Sequence, residues 1–208
     1  MQTSAERILV ATDDLRILEE VESFGGQACL TKTRINSGSE RVAAAMEKMG
    51  LPDETILVNV QGDEPFVSPK VIEQIASGVC YQRESVNTAC EVIDIASSLN
   101  PNIVKVVRDC QKKALYFSRS RIPWISPDEQ LSAPIRFLKH IGIYGYSLGL
   151  LKNFVASKAS LAEQSERLEQ LRFLHFGVPV IAHDAVDVCG IGIDTLEDYQ
   201  EACAKFEK

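Results

Sequence analysis

The sequence predicts an α/β fold: a mixed, mainly parallel sheet flanked by helices, with a small antiparallel excursion. Strand-like and helix-like segments alternate three times in about the first eighty residues, which implies parallel strands joined by right-handed crossovers. Strand-like segments then follow one another with little helix between them. At 208 residues and 45% apolar composition the chain can bury a core of ordinary size, which fits a single domain over residues 1–208.

In chain order, "RILVATDD" is a β-rich run ending in acids, and "LRILEEVESFGG" repeats apolar residues at helical spacing before a glycine pair. "QACLTK" reads as a strand, and "SGSERVAAAMEKMG" as a helix with a serine N-cap and a glycine stop. "ETILVNVQGDEP" is a strand, and "SPKVIEQIASGV" is a helix that places Pro69 where a first-turn proline is tolerated. "VNTACEVI", "IVKVVRD", "KALYFSRS" and "HIGIYGYS" form the strand-rich part. "IPWISPDEQLSAP" is a Pro- and Ser-rich loop, expected to be mobile. "SERLEQLRFLHFG", "VPVIAHDAV" and "TLEDYQEACAKFE" read as helix, strand and helix.

Composition narrows the function. A net charge of −7 with no basic block argues against a nucleic-acid partner held through its phosphates. No stretch approaches the roughly 20 apolar residues of a membrane span, so no membrane insertion is expected, and the N-terminus has acid and base where a secretory signal would be apolar. The six cysteines are scattered without zinc spacing and read as reduced core residues, which places the protein in the cytoplasm.

Ligands of open parallel sheets collect beyond the carboxyl ends of the strands, and both "VATDD" and "VNVQGDEP" put acids there. Asp63 follows Gly62, so its backbone can approach a ligand closely, although Asp also fills ordinary turns. Glu64 is read as orienting the turn. "GIG" near residue 190 is not a dinucleotide fingerprint, which sets aside an NAD-dependent oxidoreductase.

Six motifs in order, "NVQGDEP", "NPNIVKVV", "ALYFSRSRIPW", "HIGIYGY", "LEQLR" and "GIGIDTLED", resemble those of the 3-deoxy-manno-octulosonate (Kdo) cytidylyltransferases, from about Ile8 to the C-terminus. The resemblance implies a Rossmann-like nucleotidyltransferase fold, a homodimer with its dimerisation excursion, Mg2+ as cofactor, and transfer of CMP from CTP to Kdo for lipopolysaccharide synthesis. It also implies that Asp63 and Asp194 are the catalytic, magnesium-binding carboxylates. Magnesium suits such a reaction because it takes few carboxylates and neutralises phosphate charge. Asp194 alone would otherwise read as a helix cap.

Carried over from the family, Ser37, Gly38, Arg41, Gln61 and Lys105 are nucleotide candidates, and Arg119, His140, Tyr144, Glu169 and Gln170 are sugar candidates. His140 and Tyr144, four apart in a strand, point to one face. Taken singly, "SGSE" is helix-start chemistry, Lys105 or Arg119 a surface ion pair, and Glu169 a helical partner of Arg172. His175 and His183 gain no role.

The family's opening strand and its loop like "PARxxSxRLPGKPL" have no counterpart here, and the chain opens at the family's second strand. That predicts a break in the sheet between "ILVAT" and "ILVNV" and an N-terminally shortened domain, from a fragment or a misplaced start. The rival readings are a non-catalytic truncated paralogue, or a cytidylyltransferase for a related sugar acid such as 8-amino-Kdo or sialic acid.

Overall fold

The computed structural model describes residues 3–35, 37–126, 136–190, 192–193 and 195–206. Asp194 and residues 127–135, most of the Pro- and Ser-rich loop, lie outside the described residues. The first three strand–helix units are β1 (Val10–Thr12) and α1 (Leu15–Ser23), β2 (Ala28–Leu30) and α2 (Gly38–Glu47), then β3 (Ile56–Val60) and α3 (Pro69–Tyr81). Serine hydroxyls start the last two helices: Ser37 accepts from Glu40 N, and Ser68 accepts from Lys70 N with Pro69 in the first turn.

The strand-rich part comprises β4 (Val86–Ile93), β5 (Lys105–Arg108), β6 (Ala114–Ser118) and β7 (Phe137–Ser147). The C-terminal part holds α4 (Leu148–Ala156), α5 (Leu161–Glu166), α6 (Gln170–His175), β8 (Val180–Asp184) and α7 (Leu196–Phe206). Two of these differ from the sequence reading. Helix α4 was hidden because its apolar residues run on from β7 without a break. The single helix expected over "SERLEQLRFLHFG" divides at Arg167, whose φ of 55° is left-handed and closes α5.

The larger sheet has the order β6-β5-β7-β4-β8, with β3 also on β7. Parallel pairing joins β4 to β8 and, in a separate two-stranded sheet, β1 to β2. The other ladders are antiparallel: β7 returns through the middle of the sheet against β3, β4 and β5, and β5 pairs with β6. The balance is therefore less parallel than the sequence pattern suggested. Among the described residues β1 is laddered only to β2 and β3 only to β7, so the break expected between "ILVAT" and "ILVNV" is present. No described helix is long and apolar enough to cross a membrane.

Alternation along β7 feeds two cores. Ile141 and Ile143 pack with Val71 and Ile75 of α3, while Tyr144 and Tyr146 pack on the other side with Leu148, Leu151 and Phe173. Burying each such aliphatic side chain contributes roughly 1.5–3 kcal/mol. Helix α3 reaches the sheet because residue 145 is glycine: a Cβ there would lie 2.6 Å from Ile75 Cγ2.

Candidate active site

A polar cleft of about 750 Å³ opens where β3, β7, α2 and α6 meet. Strand β7 builds its floor. Thr88 of β4 faces Tyr144 and the next residue, Ala89, faces Ile141, so Gly142 and Ile143 are extra on β7 at this point. An insertion of two keeps the alternation in phase, and His140 and Tyr144 line the cleft together with ring centroids 5.4 Å apart. The bulge also releases Gly142 N, which donates to Glu64 Oε1 at 2.9 Å.

His140 is 7% exposed, and burial, aided by Lys139, pushes its imidazole down to about 3, so the ring is neutral near pH 7. Its Nε2 lies 2.9 Å from Thr88 Oγ1, and that hydroxyl donates to Ile143 O at 2.7 Å. With the one hydroxyl proton spent on the carbonyl, Nε2–H donates to Thr88 and Nδ1 is left as an acceptor. Burial also raises the Tyr144 phenol well above its ordinary value, so it stays protonated.

The "QGDEP" turn carries two acids in different states. Asp63 is half-buried, lines the cleft, and its carboxylate has no hydrogen bond or ion pair with any described residue. Glu64 is 9% exposed; burial pushes its carboxyl up, and its Oε2 is buried without a hydrogen-bond partner among the described residues. Glu64 thus ties the turn to β7, as its sequence position suggested. A second tie runs from Ile193 N to Asp63 O, 2.7 Å, which fixes the segment before Asp194 to the Asp63 turn. Capping of α7 falls to Thr195 and Asp198, each donating its backbone N–H to the other's side-chain oxygen.

The opposite wall is α2 and α6. Ser37 and Gly38 line the cleft at the start of α2, with Gln61 nearby on the β3 side. Glu169 accepts from Ser39 Oγ at 2.9 Å and Ser39 N at 3.3 Å, and Gln170, 2% exposed, follows it into α6. Behind them Arg172 makes a two-pronged pair with Glu163, lies 3.7 Å from Glu40 and sits over the Phe154 ring at 4.2 Å. Glu169 therefore does not pair with Arg172 along the helix as sequence spacing allowed.

Of the basic candidates, Arg119 lines the cleft, anchored by its Nε on Glu166 O at 2.9 Å and by one terminal nitrogen on Pro101 O. Lys105 and Arg41 do not line it. Lys105 is fully buried and its ammonium donates to the carbonyls of Asn100, Ile103 and Arg119, which uses all three N–H groups; burial and the Arg119 charge push its pKa down. With these bonds in place no N–H of Lys105 is left over for the nucleotide role expected of it. Arg41 faces Thr31 Oγ1 at 2.7 Å and Asp13 at 3.1 Å, tying α2 to the β1–β2 sheet.

The sequence reading singled out neither Lys139 and Arg167, which line the cleft, nor Ser39, which lies behind it and holds Glu169. Ser39 was hidden inside a helix-start pattern, and Lys139 stood one residue from a better-known motif. Arg167 lay in what read as continuous helix. Among the described residues no set of three or more His, Cys, Asp or Glu is gathered to hold a metal. The open carboxylate of Asp63 nonetheless fits a hard divalent ion, which takes one or two carboxylates and fills its shell with phosphate oxygens and water.

A mixed sheet with helices on both faces and an acid-bearing strand end opening on a polar cleft define an α/β nucleotidyltransferase. The family model described as cytidylyltransferase matches residues 2–180. A 3-deoxy-manno-octulosonate cytidylyltransferase of Pseudomonas fluorescens is 44% identical over 207 residues, covering 96% of this chain and 81% of the relative. Its counterpart from Erwinia tasmaniensis is 41% identical over 211 residues, covering 98% and 84%. The solved CMP:2-keto-3-deoxy-manno-octonic acid synthetase, complexed with CTP, superposes with a TM-score of 0.88 at 36% identity over 99% of this chain and 83% of that one. The chain belongs to the 3-deoxy-manno-octulosonate cytidylyltransferase family.

Proposed function

We propose that this chain transfers CMP from CTP to Kdo, releasing pyrophosphate and forming the activated sugar acid used in lipopolysaccharide synthesis. The observation that carries this reading is one cleft lined by Asp63, the start of α2 and the His140–Tyr144–Glu169 wall, in a chain of this family. Ser37, Gly38 and Gln61 hold the nucleotide. Arg119 orients the sugar carboxylate with its remaining donor edge, a geometry suited to planar anions. Neutral His140 offers Nδ1 as an acceptor to a sugar hydroxyl, Tyr144 packs beside it, and Glu169 and Gln170 take further hydroxyls. The anomeric hydroxyl then stands where it can displace pyrophosphate from the α-phosphate of CTP.

Asp63 and Asp194 would hold Mg2+. When bound, that ion supplies neutralisation of phosphate charge and alignment for in-line displacement. The tie from Ile193 N to Asp63 O supports this pairing. The exposed Leu115 and Tyr116 on edge strand β6 support a homodimer, and the six free cysteines support a reducing, cytoplasmic setting.

The test is 31P NMR of the protein with CTP, Mg2+ and Kdo, run beside 8-amino-Kdo and sialic acid. The expected spectrum shows a phosphodiester and pyrophosphate in equal amounts with Kdo. Absence of turnover with every acid would favour a non-catalytic paralogue, and preferential turnover of another acid would reassign the substrate.

A further inference from the structure

We infer that Ser39 is a positioning residue that sets the carboxylate of Glu169 for the sugar acid, so that one turn of α2 serves both substrates. The inference rests on the sugar-side reading of Glu169 given above. Glu169 precedes the first residue of α6 and makes no cap bond with its own helix, so nothing local fixes its side-chain torsions. What fixes them comes from 130 residues away: Ser39 Oγ donates to Oε1 at 2.9 Å and Ser39 N to Oε2 at 3.3 Å. Gln61 Nε2, at 3.5 Å from Oε1, is too long to replace the hydroxyl.

Ser39 is itself rigid. It is 1% exposed, within a helix whose N-cap hydroxyl is already engaged with Glu40 N. Its N–H is one of the donors that a helix start leaves unpaired, and the positive end of the helix favours a carboxylate there. Glu169 is thus seated with both carboxyl oxygens engaged, in one orientation. The two residues before Ser39, Ser37 and Gly38, face the cleft on the nucleotide side. Successive residues of one helical turn therefore locate the nucleotide and orient the group that receives the sugar.

Steady-state kinetics of Ser39→Ala, Ser39→Thr, Glu169→Ala and the Ser39→Ala/Glu169→Ala pair, with thermal melts, test this. Loss of a charge-assisted bond in Ser39→Ala should raise KM for Kdo roughly tenfold and leave KM for CTP within about twofold. Ser39→Thr, which keeps the hydroxyl, should restore KM for Kdo. On the Glu169→Ala background Ser39→Ala should add nothing, because it acts through the carboxylate already removed. Should Ser39→Ala not fold, Ser39→Cys, near-isosteric but a weak donor, carries the same comparison. Additive effects in the double variant, or an unchanged KM for Kdo in Ser39→Ala while Glu169→Ala raises it, overturn the inference alone. If Ser39→Ala raises KM for Kdo and Glu169→Ala does not, both the inference and the sugar reading of Glu169 fall.

Discussion

The two walls of the cleft are built to different standards. On the proposed sugar side, α5, α6 and β7 are locked by a buried Arg172–Glu163 pair, by Ser39 on Glu169 and by Thr88 on His140. On the proposed phosphate side the Asp63 turn is held by Glu64 at Gly142 N and by backbone bonds from Gln61 to Gly142 and from Ile193 to Asp63, beside strands β1 and β3 laddered on one edge each among the described residues. The difference teaches that a hydroxyl-rich sugar acid, bearing a single carboxylate, needs a pocket shaped in advance, because the hydrogen bonds to its hydroxyls are individually weak. A charged triphosphate brings enough electrostatic free energy to order the groups that receive it.

Breaking each wall should therefore give a different kind of defect. The largest is expected from Asp63→Ala: loss of turnover by at least about a thousandfold in pyrophosphate release, with a melting temperature near that of the parent, since a half-buried carboxylate with no partner among the described residues supports little packing. A melt lowered as much as the activity would make Asp63 structural. Arg172→Leu attacks the other wall. Leaving Glu163 unpaired in the interior should cost roughly 3–5 kcal/mol in urea unfolding, and a change within error would mean the pair is not buried in solution. Gly145→Ala, which drives a methyl into Ile75, should cost about 1–3 kcal/mol by the same assay.

A smaller effect follows from His140. Its folded pKa, about 3, lies below the ordinary value near 6.5, so the unfolded chain binds a proton that the native protein refuses. The stability this group contributes is present above pH 6.5 and is lost progressively as pH falls toward 3. A His140→Gln variant should show a flatter stability profile than the parent across that window, and parallel profiles would refute the buried neutral imidazole. The smallest effect belongs to Lys105→Met: KM for CTP should stay within about twofold, since the ammonium is fully committed to carbonyls. A tenfold rise would place it in the nucleotide site.

Local chemistry was legible wherever one segment carried the whole signal. Ser37 and Pro69 announced their helices, and the even spacing of His140 and Tyr144 announced a shared face that the bulge at Gly142–Ile143 left in phase. Consumption of a side chain was not legible. Lys105 was a nucleotide candidate by resemblance, and the letters of "NPNIVKVV" do not show that its ammonium folds back onto the carbonyls of Asn100 and Ile103 in the same segment and reaches that of Arg119. Glu169 and Arg172 looked like helical partners because nothing in "LEQLR" reveals that Arg167 turns left-handed and that Ser39 and Glu163 claim the two charges separately. The carboxylate of Asp63 was visible as a strand-end acid and Glu64 as the residue that orients the turn, and the fold adds the partner on which Glu64 is spent, Gly142 N.

The most direct test of the contrast between the walls is amide hydrogen exchange of the protein, free and with CTP and Mg2+. Protection should rise across residues 61–66 and stay high and unchanged across α5 and α6. An unchanged Asp63 turn together with newly gained protection in α5 and α6 would contradict the account.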